Sequence, residues 1–125
     1  MLRQSEQEVF IKIMKYPPLV PAAVCKIPVT LTVYAEELSE DGAPEIAATF
    51  TGFCNYQDSA QRVYTDDKHY IQLSGKALFN GDIFPELPVI AEGTAVIFGE
   101  TRKIFRGAKA RNPDGSVNYT EIQLM

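Results

Sequence analysis

Residues 94–125 read TAVIFGETRKIFRGAKARNPDGSVNYTEIQLM, and this stretch decides the fold. Two β-type runs, residues 94–98 and 101–108, flank Gly99-Glu100, a two-residue turn with glycine first, which is the signature of a type II′ hairpin. Asn112-Pro113-Asp114-Gly115 reverses the chain again, because proline presets φ and glycine accepts a positive φ without steric cost. Residues 116–125 then alternate well enough to form one more strand. Strand, tight turn, strand, tight turn, strand is the grammar of an antiparallel sheet, and the last strand is expected to close it.

The upstream sequence extends the same pattern. In residues 26–38, Val29, Leu31 and Val33 alternate with Thr30, Thr32 and Tyr34, all types that suit a pleated surface. A polar turn with Asp41-Gly42 leads into residues 45–56, so the two runs are expected to pair as a hairpin with Glu36, Glu37, Glu40 and Asp41 clustered at its tip. Residues 57–68 lose the apolar rhythm and read as a loop, or a single helical turn around residues 60–64; loops of this kind on compact β domains are often functional. Residues 69–79 return to strand character and Asn80-Gly81 turns the chain. Pro85 and Pro88 each remove a ladder donor, so residues 82–88 are an extended edge or a crossover, not a central strand. The fold expected is all-β: a small barrel or sandwich of about six antiparallel strands.

Residues 1–15 stand apart. Ser5 and Glu8 make a capping box for a short helix bearing Val9, Phe10, Ile13 and Met14, yet Val9, Ile11 and Ile13 also alternate as a strand would. We read residues 1–15 as an extension or short helix and residues 16–125 as a single β domain.

Composition narrows the function. The chain has 125 residues, 46% hydrophobic and 22% charged, with a formal net charge of −4. Domains built to neutralise phosphates over their whole surface have pI values above about 9, so contact with nucleic acid has to be local. Cys25, Cys54 and His69 are too few and wrongly spaced for a zinc site, and no nucleophile elbow, phosphate loop or dinucleotide fingerprint is present. The two cysteines are expected to be packed thiols in a reducing compartment. Asp58, Asp66 and Asp67 do not follow a calcium-loop spacing and read as solvated carboxylates. Neither an enzyme nor a cofactor or metal is expected. With no apolar run near the ~18–20 residues that cross a bilayer and no signal-peptide core, the chain is expected in the cytosol and away from membranes.

The basic run carries the strongest functional signal. Residues 101–111 hold five of the twelve Lys and Arg residues, Arg102, Lys103, Arg106, Lys109 and Arg111, with no acid among them. A regular strand sends Arg102 and Arg106 to one face and Lys103 and Phe105 to the other. A cationic edge of this kind either meets an acidic or phosphate-bearing partner or guards an edge strand against unwanted pairing.

The order of these elements resembles the small head-to-tail connector, or head-completion, proteins of long-tailed bacteriophages and prophages. The matching features are Gly81-Asp82-Ile83, a strand over residues 93–98, the turn at Gly99, a strand with basic residues from Arg102 to Arg111, Asn112-Pro113-Asp114-Gly115, and a closing strand over residues 117–124. The resemblance covers roughly residues 70–125; the hairpin of residues 25–56 lies outside it. It implies a small β-barrel with a projecting loop, here residues 57–68 with Asp58, Arg62, Tyr64, Asp66 and Asp67. It further implies a homo-oligomeric ring between portal and tail proteins of a virion, built in the host cytoplasm, with passing DNA as a further contact. A tail-completion subunit is a variant of the same reading. The rival is an OB-like nucleic-acid-binding barrel in which Phe105, Tyr70 and Tyr119 stack bases while the five cations hold phosphates.

Overall fold

The computed structural model describes residues 15–38, 42 and 44–125. Within them a 3-10 turn, Ala22–Val24, precedes six strands: β1 (Ile27–Leu38), β2 (Pro44–Tyr64), β3 (Tyr70–Asn80), β4 (Gly93–Ile97), β5 (Glu100–Arg111) and β6 (Val117–Leu124). All neighbours are antiparallel, and the order β1-β2-β3-β6-β5-β4 closes on itself as a barrel. The all-β architecture expected from the sequence is the one that forms. The capping box at Ser5 and Glu8, the extension around it, and the side chains of the acidic tip at Glu36, Glu37, Glu40 and Asp41 lie outside the described residues.

Period-two patterning sorts each strand between interior and solvent. On β1, Val29, Leu31 and Val33 are buried, while Thr30 is exposed and Thr32 and Tyr34 are half-buried. On β6, Asn118, Thr120, Ile122 and Leu124 face inward. The interior is completed by an aromatic cluster in which Phe50 meets Phe79 edge-on at 5.4 Å and Phe84 at 6.3 Å. Phe84 and Ile90 belong to the connection between β3 and β4, which carries no strand and crosses one end of the barrel. This is the crossover that Pro85 and Pro88 announce.

Three local expectations are corrected. Residues 57–68 are neither loop nor helical turn: β2 continues through Tyr64, because β3 supplies a full ladder partner for these polar residues (Asp58↔Gly75, Arg62↔Gln72, Tyr64↔Tyr70). The β4–β5 turn is centred on Phe98 and Gly99, whose φ values of 51° and 75° are both positive, and Ile97 pairs with Glu100. That is the type I′ pattern, with Phe98 in the position given to glycine by a type II′ reading. Third, β5 is not an edge strand, since it pairs with β4 through its first half and with β6 through its second. A bulge at Phe105, between the pairs Ile104↔Leu124 and Arg106↔Gln123, turns the strand from one partner to the other.

Closure demands close backbone approach where β4 meets β1. A Cβ at Gly93 would overlap the carbonyl oxygen of Thr32. Gly93→Ala is therefore expected to lower the unfolding free energy by about 2–4 kcal/mol in urea denaturation; an unchanged midpoint would contradict this tight β1–β4 contact.

The fully buried Cys54 thiol is pushed up to about 11, first by burial and then by the neighbouring Cys25, against 9.0 for a free thiol. Because the folded value lies above the unfolded one, the stabilisation is whole below pH 9 and drains away as pH rises from 9 to 11, a loss of about 3 kcal/mol. Urea midpoints measured across this window should fall, and Cys54→Ala should flatten the slope.

Candidate docking interface

Two neighbouring strands, β2 and β3, outrun the barrel at one end. On β2, the ladder to β1 ends at the pair Ile27↔Cys54, and on β3 the ladder to β6 ends at Gly75↔Leu124. Beyond those points residues 59–64 and 70–74 pair only with each other, across a bulge between Asp58 and Gln61. At the usual rise per strand residue this two-stranded ribbon projects by about 20 Å. Its tip, residues 65–69, is held by the Thr65 N–H donating to His69 O at 2.9 Å and the Lys68 N–H donating to Thr65 O at 3.0 Å, with Lys68 at φ 62°.

The ribbon has two unlike faces. Arg62, Tyr64, Tyr70 and Gln72 continue the barrel exterior, and the Tyr64 and Tyr70 rings, 57% and 69% exposed, lie against one another at 5.1 Å. Val63, Ile71 and Leu73 continue the parity of the barrel interior; Leu73 is buried, whereas the cross-strand pair Val63 and Ile71 is only half-covered. An isolated two-stranded ribbon is marginal in water, and one with an apolar face that the barrel leaves partly open is suited to receive a partner. Of the residues placed on the expected loop, Asp58, Arg62 and Tyr64 therefore stand on β2, and only Asp66 and Asp67 lie at the tip.

The basic run does not form one surface. Arg102 turns toward the barrel end next to the ribbon, where its Nη1 donates to the Tyr56 hydroxyl and, at 3.1 Å, to Ser74 Oγ, and its Nη2 to Glu100 at 3.2 Å. Its guanidinium lies 5.5 Å from the centre of the Tyr56 ring, which is itself stacked edge-on against Phe98. Partial burial opposes the Arg102 charge, but the bond to Glu100 and the contact with Tyr56 outweigh it and raise its pKa. Lys109 is almost fully buried at the opposite side of the strand's bend: its Nζ donates to Asp82, to Phe84 O at 2.7 Å and to Leu87 O, pinning the crossover.

The remaining three cations are exposed. Arg106 donates to Gln123 Oε1 across the ladder to β6, Arg111 to Gly115 O within its own turn, and Lys103, opposite Thr94 on β4, has no partner among the described residues. The bulge at Phe105 is the physical reason the expected faces fail, because it resets the period of two midway along the run.

The aromatic residues weighed for base stacking are also apart. Tyr70 pairs with Tyr64 and Tyr119 with Asn80, ten residues further along β3, a distance of about 30 Å. Phe105 sits at the β5 bulge. Asp58 faces Gly75, about 20 Å from Asp66 and Asp67 at the strand rise; among the described residues no three His, Cys, Asp or Glu side chains converge.

Sequence reasoning missed a second polar constellation. Asn112 and Asn118 are buried and bonded to one another, Asn118 Nδ2 donating to Asn112 Oδ1 at 2.9 Å, and both reach the main chain of residues 16–19. The signal was present: Asn118 and Thr120 share the parity of Ile122 and Leu124, so two polar side chains had to find partners inside. Asp114 in the adjoining turn accepts from Ser116 Oγ and from the Ser116 N–H, which together with nearby Lys15 hold its carboxyl below the usual range. No protein-family model matches the chain, and no characterised protein matches its sequence.

Lys109→Met would leave the Asp82 carboxylate and two carbonyls without their donor. It is expected to cost about 3 kcal/mol of stability, with part recovered when Asp82→Asn is added; denaturation of the single and double variants checks this, and an unaffected single variant would contradict the pinning role.

Proposed function

We propose that this chain is a non-catalytic structural subunit of a virion, of the head-to-tail connector kind, and that it docks through the ribbon of residues 59–74. The observation that carries this reading is the projection of a two-stranded ribbon beyond a closed barrel, with an exposed tyrosine pair on one face and a half-covered Val63 and Ile71 pair on the other. A barrel closed on itself has no free edge in its wall, whereas along the ribbon each strand keeps one unpaired side, with the half-covered Val63 and Ile71 beside it, open to another protein. Tyrosine is also a residue that anchors interfaces well, since it brings a large rigid surface and a hydroxyl.

The docking surface is thus assigned to the ribbon and not to the basic run. In this reading the partners are other copies of the chain in a head-to-tail ring, whose contacts join unlike patches, and the portal and tail proteins on either side. Assembly takes place in the host cytoplasm and ends in the virion. Exposed Lys103 and Arg106 supply local positive charge that steers such encounters more than it strengthens them.

Tyr64→Ala combined with Tyr70→Ala tests the proposal. Both side chains are exposed, so stability should change by less than about 1 kcal/mol, while ring formation on the portal assembly of the same virus, followed by sedimentation, should be lost. Unimpaired assembly by the double variant would refute the ribbon's role. Salt-sensitive binding of single-stranded DNA by the isolated chain, reduced by Lys103→Ala and Arg106→Ala, would favour the nucleic-acid-binding barrel instead.

A further inference from the structure

Residues 16–20, Tyr-Pro-Pro-Leu-Val, run along the end of the barrel and bend at Leu19 and Val20, held mainly by side-chain amides. The Tyr16 N–H donates to Asn112 Oδ1 at 3.1 Å and the Leu19 N–H to Asn118 Oδ1 at 2.9 Å. In return Asn118 Nδ2 donates to Pro17 O at 3.2 Å, and Asn80 Nδ2 to Val20 O at 2.9 Å. Pro17 and Pro18 have no N–H, so both main-chain donors that residues 16–19 possess are used. The fit is to an X-Pro-Pro-X main chain, already extended by its prolines and so low in ordering cost. Tyr16 and Leu19 project to solvent, and Val20 alone is buried. The strap supplies every partner of the Asn118 amide except Asn112, so these amides form a built peptide site.

We propose that this site works in trans: within an assembly, residues 16–20 of one copy of the chain occupy the asparagine clasp of a second copy. Nearly every contact is to strap main chain and is the same whichever copy supplies it, so the clasp does not discriminate between its own strap and a neighbour's. The link between strap and β1 is the 3-10 turn, which buries no side chain and is closed by two bonds, from the Val24 N–H to Pro21 O and from the Cys25 N–H to Ala22 O. Opening that turn releases the strap without breaking any strand pair, and six extended residues, 21–26, reach about 20 Å. Copies held side by side raise the local strap concentration to the millimolar range, where exchange competes with the internal contact. Strap exchange of this kind ties subunits together at little cost, and it stands independently of the ribbon.

The test uses the unmodified 125-residue chain in a one-to-one mixture of nitrogen-15-labelled and unlabelled protein. Tyr16, next to Lys15, bonds Asn112, two residues from Asp114, so the flexible Lys15 side chain can reach the Asp114 carboxylate and a zero-length carbodiimide linker should join the two, reporting an occupied clasp. Mass spectrometry then counts linked peptides that combine a labelled and an unlabelled half. These mixed pairs should rise with protein concentration toward about half of the total near the millimolar range, and should do so equally in the Tyr64→Ala and Tyr70→Ala variant, which separates strap exchange from ribbon docking. Lys15–Asp114 links that stay unmixed at every concentration would overturn the proposal, as would their complete absence.

Discussion

Closure of the barrel is the constraint on which the rest of the structure depends. The meander β1-β2-β3 has two open edges, and they are joined only because β4 pairs with β1 while β6 pairs with β3. The strand that links these two contacts is β5, which must serve β4 with residues 100–104 and β6 with residues 104–111. A straight strand cannot do both, and the bulge at Phe105 provides the bend. Gly93 and Gly107 lie where closure brings segments nearest, the first against the Thr32 carbonyl and the second against Ile90 and Ile122.

The bend also decides the fate of the charges. Five cations in eleven residues cannot all reach solvent from a strand bounded on both sides, so Lys109 is drawn inward to the crossover and Arg102 to the barrel end beside Tyr56. Ions that are buried and fully bonded define a unique arrangement more than they add net stability. At Lys109 the arrangement fixed is the path of residues 82–87 over the barrel, which places Phe84 in the core. The asparagines do the same for residues 16–20 with neutral groups, avoiding the cost of desolvating a charge.

How much of this was legible varies by element, for physical reasons. The hairpin β1–β2, the crossover and the closing strand were readable because alternation and proline act locally: Val29, Leu31 and Val33 point inward as their spacing requires, and Pro85 and Pro88 do stand outside any ladder. The ribbon was not readable, since residues 57–64 have no apolar rhythm and owe their strand conformation to β3, a partner supplied from further along the chain. The basic run misled for a related reason. A single bulge residue inverts every side chain beyond it, and nothing in Ile104-Phe105-Arg106 marks where pairing shifts from β4 to β6. Residue identity alone singled out Asp58, Arg62, Tyr64, Asp66 and Asp67 in this segment, but not the two-stranded geometry that carries them.

The barrel and the ribbon are thus two parts of one sheet with different supports. Barrel strands are paired on both sides and sealed by a core of aliphatic and aromatic side chains, whereas residues 59–64 and 70–74 have one neighbour each. Such a difference should appear as a difference in local stability. Native-state hydrogen exchange on the isolated chain measures it most directly: amides of residues 29–33, 77–79 and 120–124 should exchange only with global unfolding, while ladder amides of residues 61–64 and 70–73 should exchange far faster and become protected on assembly. Equal protection of ribbon and barrel in the isolated chain would contradict a docking element that stands outside the closed fold.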